Sequence, residues 1–301
     1  MVVDLLCIGE AMAEIRRTPG QDGFAVGFAG DTYNTAVYAK RILGASSQVG
    51  FSTRVGLDPL SAGFLRTASA HSIDTSAVER DASRNLGVYS VTTDATGERR
   101  FHYWRDQSAA RQLDAATVVP ARMLYLSGIT LAILSPARRQ ALIDRLRALK
   151  DTCTIAFDGN YRPGLWEDAQ TARTVTAQMW ALADIALPGL DDEMALFGDD
   201  SEQAVIARFE QRDFDACVIK CGARGPLSLS HKDALPAFPP AASVVDTTAA
   251  GDSFNGGYLA ARLMGKTEAA RLMTGHRLAA QVVGAPGAIV DTVNPEQGEA
   301  P

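Results

Sequence analysis

The 301-residue sequence has no run of eighteen or more apolar residues, so no segment is long enough to cross a bilayer as a helix. A basic excess is also missing. Its 29 Lys and Arg against 35 Asp and Glu give a formal net charge of −6, which argues against nucleic acid as the main partner, because binding a phosphate backbone needs a basic face. Cysteine is scarce. Cys7, Cys153, Cys217 and Cys221 lie mostly in strand-like apolar runs, and the spacer in "CVIKC" is too long for a C-x-x-C redox pair. A reduced, cytoplasmic chain fits best. No G-x-G-x-x-G follows the first apolar run, which excludes a dinucleotide-binding oxidoreductase. "GKT" at 265–267 lacks the first glycine of a P-loop, whose place is held by Ala260. "GDSFN" lacks the closing glycine of a nucleophile elbow, whose place is held by Asn255. His71, His102, His231 and His276 show no metal-ligand spacing and read as surface or packing residues. The N-terminal "MVVDLLCIGE" is interrupted by Asp4 and preceded by no basic segment, so it reads as a buried first strand and not as a signal peptide.

What is present is a chain of 47% hydrophobic residues, enough for a substantial core in one large α/β domain or two smaller ones. Short apolar runs at 3–9, 123–128, 153–158, 184–188 and 216–221 alternate with helical patterns at 32–43, 58–70, 136–149, 170–182, 191–197 and 202–210; two more helices follow at 252–264 and 267–283. That alternation predicts a doubly wound, mainly parallel sheet covered by helices on both faces. Asp158 and Pro188 then fall at carboxyl ends of strands, the edge where ligands bind in such sheets. One region departs from the pattern. Residues 86–105 hold two β-rich runs around "DATGE", a hairpin out of place in a parallel sheet, and 10–30 can supply more strands. Together they read as a small β lid, with an ordinary edge hairpin as the alternative; the density of "FHYWR" (101–105) favours the lid. The tail "NPEQGEAP" reads as frayed.

The stretch "VDTTAAGDSFNGGY" (245–258) places small residues just ahead of an apolar helical pattern. The first turn of a helix has free N–H groups and the positive end of the dipole. Ala249, Ala250 and Gly251 leave that turn open to an anion, such as a phosphoryl group gaining charge in a transition state. Asp252 lies one residue beyond and can accept the proton of an attacking hydroxyl.

"DTTAAGDSF" (246–254) closely resembles the C-terminal signature of the ribokinase-like (pfkB) sugar kinases, and "GFAGDTYNTAVYAKRILG" (27–44) resembles their N-terminal one. The resemblance covers nearly the whole chain. It implies a single kinase domain over 1–301, a doubly wound sheet flanked by helices with a lid from about 10–30 and 86–105, and ATP and Mg²⁺ as cofactors. It further implies that Asp252 is the general base, that Ala249, Ala250 and Gly251 form the anion hole, and that "KCGARG" (220–225) binds the nucleotide through Lys220, Gly222 and Gly225. Asn160 and Arg162 also approach the nucleotide in that reading. Glu193 matches the glutamate of the family's N-x-x-E motif, linked to Mg²⁺, although Leu190 holds the asparagine position.

The acceptor side carries the substrate. "GDTYN" (30–34) offers Gly30, Asp31 and Asn34 to sugar hydroxyls; Asp31 can equally be a helix cap. Tyr89, Tyr103 and Arg105 project from the lid, and "FDGNYRPGLW" puts Arg162 just past a strand end. Two arginines suit a sugar acid, whose carboxylate pairs with a guanidinium in bidentate fashion. A neutral sugar leaves them unpaired. "GDTYN", "YWR" and "GNYRPGLW" together resemble the branch of the family that phosphorylates the 6-hydroxyl of 2-dehydro-3-deoxy-D-gluconate. The resemblance also implies that Asp291, in "GAIVDT", returns to the site on the C-terminal loop. Fructokinase and ribokinase types are the alternatives, and a non-catalytic ligand-binding regulator is the reading from another class. The expected partners are a small sugar acid and ATP, with no nucleic acid and no membrane; a monomer and a homo-oligomer are both open.

Overall fold

The computed structural model describes residues 3–18, 22–93, 99–230, 235 and 237–292. The "DATGE" turn, His231 and the tail from 294 lie outside them. In chain order the elements are β1 (Val3–Ile8), β2 (Met12–Arg17), β3 (Phe24–Ala29), α1 (Asp31–Leu43), β4 (Val49–Val55), α2 (Pro59–Ala70), β5 (Val78–Arg80), β6 (Gly87–Thr93), β7 (Arg99–Trp104), β8 (Ala121–Ser127), α3 (Gly128–Ala132), α4 (Pro136–Leu149), β9 (Thr154–Asp158), α5 (Ala169–Leu182), β10 (Ile185–Ala186), α6 (Leu190–Phe197), α7 (Glu202–Glu210), β11 (Ala216–Lys220), β12 (Pro226–Ser228), α8 (Ala250–Leu263) and α9 (Glu268–Val282).

The main sheet runs β12-β11-β10-β9-β8-β1-β4-β5. Every pair in it is parallel except β11 with β12. Successive side chains of a strand point to opposite faces, and β1 shows the consequence. Leu5 and Cys7 enter a core with Tyr33 of α1, Phe64 of α2, Phe254 of α8 and Leu272 of α9. Leu6 and Ile8 enter a second core with Leu142 of α4, Trp180 of α5, Leu196 of α6 and Phe209 of α7. The sheet is therefore buried on both faces, as its near-continuous apolar strands require. β4 lies outside the expected strands because Ser52, Thr53 and Arg54 interrupt its apolar run. The 184–188 run yields only the two-residue β10.

The second sheet, ordered β3-β2-β6-β7, is the expected small sheet. β2 leaves the carboxyl end of β1 after three residues, and β3 turns through Gly30 straight into α1. The small sheet is thus rooted at the carboxyl edge of the large one. Its root packs Met12, Ala29 and Tyr89 against Ala288 and Ala249. Its outer positions Phe24, Val26 and Trp104 are exposed.

Candidate active site

The parallel strands deliver functional groups to one edge. Beyond the last residues of β1 comes Glu10; β8 ends in Ser127, β9 in Asp158 and β11 in Lys220. The N-termini of α1 and α8 open at the same edge and bring Asp31 and Asp252. Three carboxylates, Asp31, Asp158 and Asp252, thus gather around one lysine and a set of amides.

Asp252 accepts from Asn34 Nδ2 at 2.9 Å. The same amide accepts from the Gly30 N–H at 3.3 Å through Oδ1, so its orientation is fixed from both ends. Burial, then the charges of Asp31 and Asp158, push the Asp252 carboxyl up to about 7; Asn34 and Lys220 oppose this. A base with that value is poised for proton transfer near neutral pH. Asp31 accepts from Ser127 Oγ, and from Asn160 Nδ2 at 3.0 Å. Its carboxyl is also raised, by burial first and by Asp158, against the bond from Ser127. Asp158 holds Lys220 Nζ in an ion pair and accepts from Asn255 Nδ2 at 2.7 Å. Asn160 donates its N–H to Asp158 at 3.1 Å, with a positive φ of 34°. Sequence reasoning placed Asp158 at a strand end but missed it, with Asn255, Ser127 and Glu10, as part of the site.

The turn before α8 is built for an anion. Ala249 is its N-cap in the left-handed region, at φ 60°, a conformation costly for a residue with a Cβ and met at strained functional turns. Ser253 makes the first intrahelical bond, to the Ala249 carbonyl at 2.8 Å. The N–H groups of Gly251 and Asp252 precede it and have no intrahelical acceptor. Ala250 already donates to the Thr247 carbonyl at 3.3 Å. The hole therefore rests on Gly251 and Asp252, with Ala249 and Ala250 shaping it. A Cβ at Gly251 would lie 3.6 Å from Lys220 Nζ, so the lysine stands beside the open turn. In the "KCGARG" loop, Gly222 and Gly225 take positive φ of 57° and 87°. Where a Cβ on Gly222 would stand there is open space to 4 Å, whereas a Cβ on Gly225 would meet Phe238 at 2.9 Å.

Four expected residues are engaged differently. Arg105 is buried in an ion pair with Glu10 and lies 5.6 Å from the Tyr103 ring centroid. The Tyr89 hydroxyl donates to Glu14 at 2.8 Å, and burial, then the Glu14 charge, raises its pKa well above the phenol range. Glu193 is held by a protein partner. It is 1% exposed, and its Oε2 accepts from Arg208 Nη1 at 2.9 Å; burial pushes its carboxyl up to about 7 against that partner. Asp291 does not reach the cluster. The C-terminal loop does return, with Gly287 N–H donating to Asp246 at 2.6 Å, but the chain then follows α1 away. The Val290 carbonyl accepts from Arg41 at 2.5 Å, and Asp291 is exposed. Arg41 lies ten residues beyond Asp31, about 15 Å along the helix.

Arg162 follows the carboxyl end of β9, four residues beyond Asp158. Its Nη1 donates to the Tyr161 carbonyl at 2.7 Å and to both Asp192 oxygens at 3.1 and 3.3 Å. Among the described residues its Nε and Nη2 have no protein acceptor, which leaves one guanidinium edge for a ligand carboxylate. Tyr103 senses the charges of Arg105, Arg162 and Asp31, while burial raises its hydroxyl. Tyr103 pairs with Tyr89 near the root of the small sheet, the two ring centroids 5.9 Å apart.

A polar floor beneath an open helix turn, with a tuned carboxylate beside it, is the layout of a phosphoryl-transfer site. The family model described as pfkB family carbohydrate kinase matches residues 3–295. The chain belongs to the pfkB family of carbohydrate kinases. A 2-dehydro-3-deoxygluconokinase of Escherichia coli is 39% identical over 297 residues, 94% of this chain and 96% of that protein. A fructokinase of Klebsiella pneumoniae is 32% identical over 86% of this chain and 81% of that protein. The crystal structure of a PfkB protein from Polaromonas sp. superposes with a TM-score of 0.80 at 27% identity, covering 94% of this chain and 96% of that one. The kinase fold and the two signature stretches are thus accounted for together.

Proposed function

We propose that this pfkB kinase transfers the γ-phosphoryl group of ATP to the 6-hydroxyl of 2-dehydro-3-deoxy-D-gluconate. The observation that carries phosphoryl transfer is Asp252, held by Asn34 and set beside the open first turn of α8. The acceptor is read from the full-length relationship to the gluconokinase and from the free edge of Arg162. In this reading Asp31 and Asn34 take the middle hydroxyls, Arg162 takes the carboxylate, and Asp252 receives the proton of the 6-hydroxyl as the bond to phosphorus forms. The Gly251 and Asp252 N–H groups and Lys220 hold the charge on the phosphoryl oxygens. Among the described residues no cluster of His, Cys, Asp or Glu forms a metal cage. Mg²⁺ would be held largely by the nucleotide's own phosphates, as that ion commonly is, and there it neutralises phosphate charge. Tyr103 and the small sheet are read as the lid that excludes water.

A fructokinase reading has one observation in its favour: Glu10 already engages Arg105, which leaves a single guanidinium edge for an acid. An ATP-coupled assay with the sugar acid and with fructose, on wild type and Arg162→Leu, separates the two. Arg162 is half exposed, so its bidentate pair lies at the lower end of the range for charge-assisted contacts. Arg162→Leu is expected to lower kcat/KM for the sugar acid by about two orders of magnitude and to leave fructose turnover unchanged. Equal use of both sugars by wild type, with equal losses in the variant, replaces this reading with fructokinase.

A further inference from the structure

A cavity of 270 Å³ opens where the chain leaves β7 and where α4 begins. It is separate from the carboxylate cluster: Asp31, Asp158, Asp252 and Lys220 are not among its walls. Its walls include Arg84 and Arg111, and its floor includes the buried Ile133. Both arginines are partly buried. Among the described residues neither guanidinium makes a hydrogen bond or an ion pair, whereas Arg54, Arg105, Arg139, Arg162 and Arg208 are each held by a carboxylate. The guanidinium nitrogens of Arg84 and Arg111 are not among the buried atoms that lack a partner, so both forks stand open at the cavity for the oxygens of a ligand.

The neighbouring helix adds to the same imbalance. Ser135, on the cavity wall, is the N-cap of α4 and makes no side-chain capping bond. The first turn of α4 has no acid, and Arg138 and Arg139 occupy it. Positive charge thus meets the positive end of the dipole, the reverse of the favourable arrangement. Glu167 neutralises Arg139. Arg138 donates only to neutral acceptors, Gln112 Oε1 at 3.1 Å and the Leu113 carbonyl at 3.3 Å. One carboxylate, the exposed Asp106, belongs to the wall.

We propose that this cavity binds a sugar phosphomonoester. Arg84 and Arg111 hold its phosphate beside the α4 N-terminus, with the planar forks that suit phosphate oxygens. Asp106 and Gln107 take sugar hydroxyls. A bare phosphate ion is far smaller than the cavity and leaves Asp106 facing an anion, whereas a hydroxylated phosphate gives Asp106 a donor.

Isothermal titration of the full chain with glucose 6-phosphate, inorganic phosphate and glucose tests this, with hydrogen exchange to locate the ligand. Saturable binding of glucose 6-phosphate is expected, tighter than inorganic phosphate and absent for glucose. Exchange is expected to slow at 105–112 and 133–138, with no change at 249–253. Arg84→Gln and Arg111→Gln are each expected to weaken binding roughly 10- to 100-fold without changing basal kinase activity. No saturable binding of glucose 6-phosphate, protection confined to 249–253, or wild-type affinity in the double variant overturns the proposal. Equal affinity for inorganic phosphate overturns the sugar component. The exchange measurement needs only the wild-type chain.

Discussion

Asp252 is held where its charge is disfavoured, and that sets both activity and stability. Its carboxyl moves from 3.8 to about 7 on folding, through burial and then the charges of Asp31 and Asp158. Between those values the folded chain binds more protons than the unfolded one. Stability contributed by this group is therefore fully present below 3.8 and is lost as pH rises through about 7. Asp252→Asn removes the penalty. The variant is expected to melt higher than wild type at pH 8, with the advantage shrinking towards pH 4 in scanning calorimetry, while its turnover falls roughly 10²- to 10⁴-fold. Glu193 shares the direction of shift but has a different role. Its carboxylate backs the Asp158–Asn160 turn, where a Cβ on Gly159 would lie 2.6 Å from its Oε1. Glu193→Ala removes both the backing of that turn and the acceptor of Arg208, which keeps Asp199 at 2.6 Å. A loss of about 1–3 kcal/mol in denaturant unfolding is expected, with the Mg²⁺ dependence of kcat/KM unchanged.

Helices α1 and α8 approach closely, and glycine makes that possible. A Cβ on Gly256 would lie 2.8 Å from the Thr35 carbonyl oxygen and 3.0 Å from the Ala39 nitrogen, both backbone atoms of α1. Gly256→Ala must part the helices and lengthen the 2.9 Å bond between Asn34 and Asp252. We expect kcat to fall about 10- to 100-fold, as for a misplaced catalytic group, with about 1–3 kcal/mol lost in stability. Gly164→Ala, with nothing within 4 Å of the new Cβ, serves as the neutral comparison in the same kinetic and unfolding measurements. Apart from the five-residue α3, which the sequence reading missed, the helices were legible to within about two residues, because their ends are chemically marked. Asp58, Asp168, Ser201 and Thr267 cap α2, α5, α7 and α9 through their side chains, and Gly265 takes φ 74° just past α8. The strand β4 carries no such marks, and polar Ser52 and Thr53 are buried within it.

At the scale of the molecule, the small sheet is rooted at the carboxyl edge of the large one, and the proposed substrate lies between them. Binding there is expected to slow hydrogen exchange in β6 and β7, read by mass spectrometry with saturating sugar acid; unchanged exchange would make the small sheet a fixed edge instead of a lid. Asp31, Asn34, Asn160, Lys220 and Asp252 were legible because each sits in a short stretch with its own chemical pattern. Their partners were not. Ser127 meets Asp31 from 96 positions away, and Asn255 meets Asp158 from 97, separations that leave no periodic trace in a sequence. The C-terminal loop that carries Asp291 passes the root of the small sheet at Gly287 and Ala288.

The bond between Asn34 and Asp252 also sets a timetable for biosynthesis. The two residues are 218 positions apart, so at about 5–20 residues per second α1 leaves the ribosome roughly 10–45 s before α8. Throughout that interval the face of α1 that will receive Gly256 lacks that partner, although Tyr38 on that face is fully buried in the finished core. Half-made chains therefore display an apolar helix and no acceptor pocket, and a sugar cannot assist folding until the chain is almost complete. The interval is one in which chaperone capture competes with misassembly, and it closes only when the last two helices arrive together.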